Sequence, residues 1–423
     1  MSSSSVHLLV LVHGMWGNPG HLAELDRVIK ETIPDLHVLR AETNQEDGTY
    51  DGIDWGGERV AEEIVAEVDK LAKEGRTVTR FSITGYSLGG LVSRYVVGIL
   101  RQRGFFETVT PVNFNTLATP HLGLPRYPSF FSSLASVLGP RLLSRTGEQF
   151  YCVDKWSANG RPLLEVMADP DRIFYQALAA FETIRIYANT LRDRTVPYVT
   201  AAIEVDDIFA DRASNGLEVE LDEQYAPLIK SYSLPPVPPA PTPKPAVLSP
   251  SWFKQLAPGR PMLPPFLRFR FPLNIVFYAM LPLLVPVVLS FAIVRLSLAA
   301  RSSRARIKLL EKDASSTQKL AHILAQLEKQ VEHAVVDFID DEATIPDPER
   351  ALSKSARKEQ PILTSTQRRI AAALNRLPIK KERAYFPDAL NSHAVIICRD
   401  VKNFEAHREG EGILRHWANA FIL

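Results

Sequence analysis

The sequence predicts an α/β fold built on a mainly parallel sheet, and three observations carry that prediction. Strand-length apolar runs alternate with helical periodicities over the first 230 residues. The run at 6–12 is apolar except for His7, the pattern of a strand covered on both faces. Residues 79–102 read as a short strand, a sharp turn carrying Gly85-Tyr86-Ser87-Leu88-Gly89, and an apolar helix.

The elements follow in order. After the strand at 6–12 come a helix near 20–32 and a second strand at 36–42. Residues 56–74 form an amphipathic helix, with Val60, Ile64, Val68 and Leu71 at helical spacing. Strand 79–84 and helix 88–102 lead to strands at 111–117 and 184–188. Between those two, 121–180 is less regular, and its Phe-, Leu- and Ser-rich stretch at 128–143 has the composition of a lid. Residues 1–230 are thus expected to hold the core with its nucleophile and acid. A proline-rich linker fills 231–265, where polyproline geometry is favoured over packing. A hydrophobic segment with basic flanks occupies 266–308, and an amphipathic helix with a polar loop occupies 309–365. At 366–423 the chain returns to the core through a helix at 366–376, a strand near 382–387 and a helix near 409–421.

Charge is divided unevenly. Residues 1–230 carry 22 Lys+Arg against 31 Asp+Glu, whereas the remainder carries 27 against 17. The 24 residues at 271–294 hold no charge, and Arg268, Arg270, Arg295, Arg301, Arg304 and Arg306 flank them. A basic block around the most apolar stretch points to an anionic lipid surface and away from nucleic acid. As one helix that stretch would extend about 36 Å, enough for a bilayer core of roughly 30 Å. Pro272, Pro282 and Pro286 fit a kinked or hairpin segment equally well, and basic residues on both sides favour the hairpin. Two cysteines, Cys152 and Cys398, give no disulfide framework, which suits an intracellular protein. No secretion signal is read at the N-terminus, no cluster has metal-ligand spacing, and the 85–90 segment lacks the Lys of a phosphate loop. No cofactor is therefore expected. Nothing in the sequence sets an oligomeric state.

The turn at 85–89 carries the chemistry. A serine at a tight strand-to-helix turn is held exposed, and the glycines on either side are needed because a Cβ there would collide with neighbouring backbone. A serine hydroxyl needs a base to take its proton and donors to hold the developing oxyanion. In nucleophile-elbow enzymes the acid and then the histidine follow the serine along the chain. His121 comes before any acid position, His322 and His333 fall in the charged helix, and His407 and His416 read as surface groups. His393, just after the last strand signal, is the candidate base. Asp193, five residues past the strand at 184–188, is the candidate acid, with Asp206 and Asp207 as rivals. The oxyanion donors are expected to be the amides of Leu88 and of Met15 in the loop His13-Gly14-Met15-Trp16-Gly17, while His13 reads as a structural group.

These residues resemble the fungal "putative serine esterases" of the α/β-hydrolase lipase type, a group that includes lipid-droplet phospholipases. The resemblance lies in Val-His-Gly-Met-Trp-Gly-Asn after the first strand, Gly-Tyr-Ser-Leu-Gly-Gly-Leu-Val-Ser-Arg-Tyr at the elbow, and Asn-Thr-Leu-Ala-Thr-Pro-His-Leu-Gly further on. It continues in Tyr187-Ala-Asn189 with Asp193-Arg-Thr-Val-Pro-Tyr198 and in Asn391-Ser-His393-Ala. It implies an α/β-hydrolase fold and a Ser87–Asp193–His393 triad acting on lipid esters at a membrane or lipid-droplet surface, in the droplet or endoplasmic reticulum. The alternatives are an esterase of soluble or protein-bound acyl groups and a scaffold without turnover, since one fold hosts many ester chemistries.

Overall fold

The computed structural model describes residues 4–157, 159–236, 239, 273–312 and 360–423. Most of the proline-rich linker lies outside the described residues, and so does the part of the expected amphipathic helix and polar loop from residue 313 to 359, with His322 and His333.

A six-stranded parallel sheet organises the core. Its strands are β1 (Ser4–Val12), β2 (His37–Arg40), β3 (Arg76–Tyr86), β4 (Thr110–Leu117), β5 (Thr183–Asn189) and, much later in the chain, Ile379–Ala384. That last strand is numbered β8 because an antiparallel pair, β6 (Glu218–Leu221) and β7 (Ile229–Ser233), intervenes. The order across the sheet is β2-β1-β3-β4-β5-β8, every neighbouring pair being parallel. The fold is an α/β-hydrolase fold. β8 lies three residues earlier than the sequence pattern suggested, because the largely charged Ile-Lys-Lys-Glu-Arg-Ala of an edge strand carries little apolar signal.

Side-chain alternation along β1 explains why the sheet is covered on both sides. Leu8 and Val10 face α2 (Ile53–Lys73) and α3 (Leu88–Gln102), packing with Val60, Ile64, Leu91 and Val92. Leu9 and Leu11 face the other way, onto α1 (Ala23–Thr32) and the C-terminal helix Glu411–Asn419, meeting Leu25, Val28, Leu414 and Trp417. Burying each of these aliphatic side chains contributes on the order of 1.5–3 kcal/mol, so the sheet is held from two sides. The N-terminal 3₁₀ turn Pro19–Leu22 is capped by the Asn18 side chain, which accepts from the Gly20 amide and starts α1 slightly later than its periodicity predicts.

The region expected to form a lid contains α4 (Phe130–Leu142) and α5 (Ser144–Phe150). α4 has no buried residue, and Phe130 and Phe131 stand 74% and 79% exposed. α5 is anchored by Arg145, whose guanidinium meets the fully buried Asp54 carboxylate at the start of α2 at 2.9 and 3.0 Å from Nε. Asp54 also accepts from Gln149 Nε2 at 3.0 Å and Trp156 Nε1 at 3.1 Å, so its buried charge is fully compensated.

The apolar segment forms one continuous helix, Leu273–Lys312, with Pro282 and Pro286 inside it. This replaces the hairpin that the flanking arginines favoured. It also absorbs residues 309–312, which the sequence pattern assigned to a separate amphipathic helix. The apolar residues from Val276 to Val294 stand largely exposed, and the helix is long and apolar enough to cross a membrane. Ala299, Ala300, Ser303 and Ile307, by contrast, are buried against the hydrolase body.

Candidate active site

Parallel strands present equivalent ends on one edge of a sheet, and here that edge gathers the predicted groups. Ser87 immediately follows β3, Asp193 lies four residues past β5, and His393 lies nine residues past β8. The elbow holds Ser87 at φ 56°, a left-handed conformation costly for a non-glycine residue, and its amide donates to the Leu117 carbonyl at 2.9 Å. Gly85 and Gly89 make the turn possible. A Cβ on Gly85 would lie 2.4 Å from Gly90 Cα, and one on Gly89 would lie 2.1 Å from the Val12 carbonyl oxygen.

The structure brings Ser87, His393 and Asp193 into one hydrogen-bonded chain. His393 Nδ1 stands 2.9 Å from Asp193 Oδ2, and its Nε2 stands 3.0 Å from Ser87 Oγ. With the carboxylate accepting from Nδ1–H, Nε2 is left to accept from the serine hydroxyl. The three side chains are nearly closed to solvent. Asp193 Oδ1 accepts from the Thr195 and Val196 amides at 2.9 and 2.8 Å, and Oδ2 also accepts from Asn189 Nδ2 at 2.8 Å. Every lone-pair direction of the carboxylate is thus used, which fixes its position opposite the imidazole. The rival Asp207 caps a turn by accepting from the Phe209 and Ala210 amides and bonds Gln360.

The loop after β1 lies against Ser87. An added Cβ on Gly14 would come 2.8 Å from Ser87 Cβ and 3.3 Å from Ser87 Oγ. The Leu88 amide begins α3 and so has no acceptor in the helix, and among the described residues no turn or loop carbonyl takes the Met15 amide. The Trp16 and Gly17 amides are occupied, by Thr49 Oγ1 and the Gly14 carbonyl at 3.1 Å each. His13 is buried, donates from Nδ1 to the Gly14 carbonyl at 3.0 Å, and burial lowers its pKa, so it holds the loop as a neutral ring.

Other histidines find structural places. His121 is buried against Thr116 Oγ1 at 2.9 Å, and desolvation keeps it neutral. His416, expected at the surface, is instead half-buried with Nδ1 3.0 Å from the Tyr187 hydroxyl. Sequence reasoning missed Asn189, Tyr86 and Thr119. Thr119 donates from Oγ1 to the Ser87 carbonyl at 2.9 Å and braces the elbow. The signals for Asn189 and Tyr86 were their places at the end of β5 and beside the nucleophile. A cleft of about 400 Å³ lies between the Asp193 loop and α4, lined by Leu124, Tyr127, Ala135, Tyr151, Leu191 and Tyr198. Asp193 is part of its wall and Ser87 is not.

The fold and this elbow define the class of α/β-hydrolase-fold serine hydrolases. Residues 2–204, just under half of the chain, match the family model described as "Putative serine esterase (DUF676)". A "Putative lipase" of Schizosaccharomyces pombe is 33% identical over 215 residues, covering 49% of this chain and 27% of its own length. A second "Putative lipase", from Saccharomyces cerevisiae, is 26% identical over 237 residues, covering 54% of this chain and 33% of its own length. The chain therefore spans about a quarter to a third of these relatives. Among solved structures, a lipase-esterase related protein from Clostridium acetobutylicum superimposes with TM-score 0.27 at 13% identity, over 47% of this chain and 80% of its own. Est1E from Butyrivibrio proteoclasticus gives 0.26 at 16% identity, over 46% and 71%. At these scores neither adds to the fold assignment, which rests on strand order and family.

Proposed function

We propose that the protein hydrolyses acyl esters of lipids at a membrane or lipid-droplet surface, with Ser87, His393 and Asp193 as its catalytic triad. The observation that carries the proposal is the continuous Ser87–His393–Asp193 hydrogen-bond chain. In this reaction Ser87 Oγ attacks the ester carbonyl carbon while His393 Nε2 takes the hydroxyl proton. The carbonyl oxygen becomes an oxyanion held by the Leu88 and Met15 amides. The C–O bond to the alcohol then breaks, and His393 returns the proton to the leaving oxygen. Water, deprotonated by the same nitrogen, attacks the acyl-serine and releases the acid. Asp193 orients the ring through Nδ1 and stabilises its charged form.

The choice of lipid over soluble esters rests on the exposed apolar residues between Val276 and Val294 of the long helix, with Arg295 and Arg301 following them. A phospholipid ester fits that basic border, and a phospholipase is the finer reading. Purified protein incubated with a mixed lipid extract, alongside Ser87→Ala, tests both levels. Loss of phospholipid or acylglycerol species with wild type alone is expected. Turnover of a soluble short-chain ester with no lipid consumed would move the assignment to a soluble-acyl esterase. Fluorophosphonate labelling that persists in Ser87→Ala would overturn the nucleophile.

A further inference from the structure

The apolar helix and the oxyanion loop grip the same short turn from opposite sides. From the helix, Arg306 donates through Nη2 to the Asp47 carbonyl at 2.7 Å and to Asp51 Oδ1 at 2.8 Å, and through Nε to Asp51 Oδ2 at 3.3 Å. Asp51 is fully buried, and Oδ2 also accepts from Arg59 Nη2 at 2.6 Å. On the loop side, Thr49 Oγ1 accepts the Trp16 amide at 3.1 Å, and the Tyr50 hydroxyl accepts Trp16 Nε1 at 2.8 Å. The Glu46 amide donates to the Gly17 carbonyl at 3.0 Å. The turn is held from a third direction by Thr146 of α5, which donates from Oγ1 to the Thr49 carbonyl at 2.7 Å.

Two physical facts make this arrangement more than packing. Trp16 sits at φ 55°, a left-handed conformation that costs a non-glycine residue about 1–2 kcal/mol and persists only where neighbours impose it. Those neighbours are Thr49 and Tyr50, and Trp16 immediately follows Met15. A buried carboxylate shared by two guanidinium groups is also stable only while both are present. Withdrawing Arg306 leaves Asp51 half compensated and frees the Asp47 carbonyl. The turn then relaxes, and the loop it holds relaxes with it.

We infer that Asp51, Thr49 and Arg306 are positioning residues that transmit the seating of the apolar helix to the Met15 amide, so that full turnover requires the docked helix. The inference rests on the reading of Met15 and Leu88 as oxyanion donors. Arg306 and Thr49 are engaged with the turn and the Trp16 amide, and neither bonds Ser87, His393 or Asp193. Their effect is therefore expected in the chemical step, because an oxyanion donor acts on the transition state and barely on the ground state.

The test uses full-length protein in one detergent with p-nitrophenyl butyrate, a soluble ester that needs no membrane. Arg306→Ala is expected to lower kcat about tenfold with KM within about twofold, and Arg306→Lys to recover a large part of the loss. Thr49→Val keeps the shape and removes the acceptor, so it should give the same kcat loss with the helix still docked. Wild-type activity that Ser87→Ala abolishes establishes the nucleophile independently. In that case a wild-type kcat in folded Arg306→Ala, or in Thr49→Val should Arg306→Ala fail to fold, overturns the joint. Inactive wild type overturns the serine-hydrolase reading and this inference with it.

Discussion

Tyr86, the residue before the nucleophile, is tied to the main chain of His393: its hydroxyl donates to the His393 carbonyl at 2.8 Å, and its ring lies 5.0 Å from the imidazole centroid. The elbow and the loop that carries His393 are thereby fixed to each other across 307 residues of sequence. Removing the buried hydroxyl in Tyr86→Phe leaves that carbonyl without its partner, at a cost of about 1–3 kcal/mol. Lower thermal stability is expected, together with a fall in kcat of about three- to tenfold and little change in KM. An unchanged kcat alongside the stability loss would confine Tyr86 to packing.

Asp193 and Asn189 divide one task. The carboxylate faces Nδ1 of His393, and Asn189 donates to the same Oδ2 at 2.8 Å. Asp193→Asn puts a donor opposite Nδ1–H and favours the wrong tautomer, for which a loss of about 10⁴-fold in kcat is expected. Asn189→Ala leaves the carboxylate its two amide donors, so its effect should stay within about tenfold. Rates of fluorophosphonate labelling would rank the two variants. Equal losses would contradict the division.

Gly14 is the tightest point between the oxyanion loop and the nucleophile. The methyl group of Gly14→Ala would begin 2.8 Å from Ser87 Cβ, closer than carbon atoms approach without movement. Either the loop backs away with the Met15 amide or Ser87 leaves its place. A loss of at least about 10²-fold in kcat is expected with near-normal unfolding, since the clash is local. Probe labelling at wild-type rate would show that the loop has room to give.

The parts of this site visible in the sequence were those that impose local chemistry on the chain. The glycines around Ser87, the apolar run into His13 and the late His393 each mark a backbone turn or a strand end. Asp193 was less distinct, because an aspartate in a turn reads the same in sequence whether or not an imidazole and an amide side chain lie beside it. The joint around Asp51 was invisible, since Asp47, Thr49, Asp51 and Arg306 meet only in three dimensions. For Leu273–Lys312 the sequence left one helix and a kinked or hairpin segment both open, for a physical reason. Proline disfavours a helix interior because it removes a backbone donor, yet Pro282 and Pro286 both lie inside this helix. The β6–β7 pair was missed because its strands, at four and five residues, are too short for their alternation to stand out from chance.

Glu58 offers a test of the core away from the chemistry. It is fully buried on α2, accepts from the Tyr95 hydroxyl at 3.0 Å and lies 3.4 Å from Arg103 Nη2. Burial pushes its pKa up from 4.5 to about 7 despite those partners. The folded protein thus holds the Glu58 proton more tightly than the unfolded chain does. Between pH 4.5 and about 7 the unfolded state loses that proton first, so this residue makes stability fall as pH rises through that window and level off above it. Glu58→Gln keeps the shape and an acceptor for Tyr95 but has no charge to bury. Its stability advantage over wild type should grow from near zero at about pH 4.5 to roughly 3 kcal/mol at about pH 8. Urea denaturation of both proteins across that range measures the difference. A gap that stays constant with pH would mean that Glu58 keeps an ordinary carboxylate titration in the fold, and that Arg103 and Tyr95 offset its burial in full.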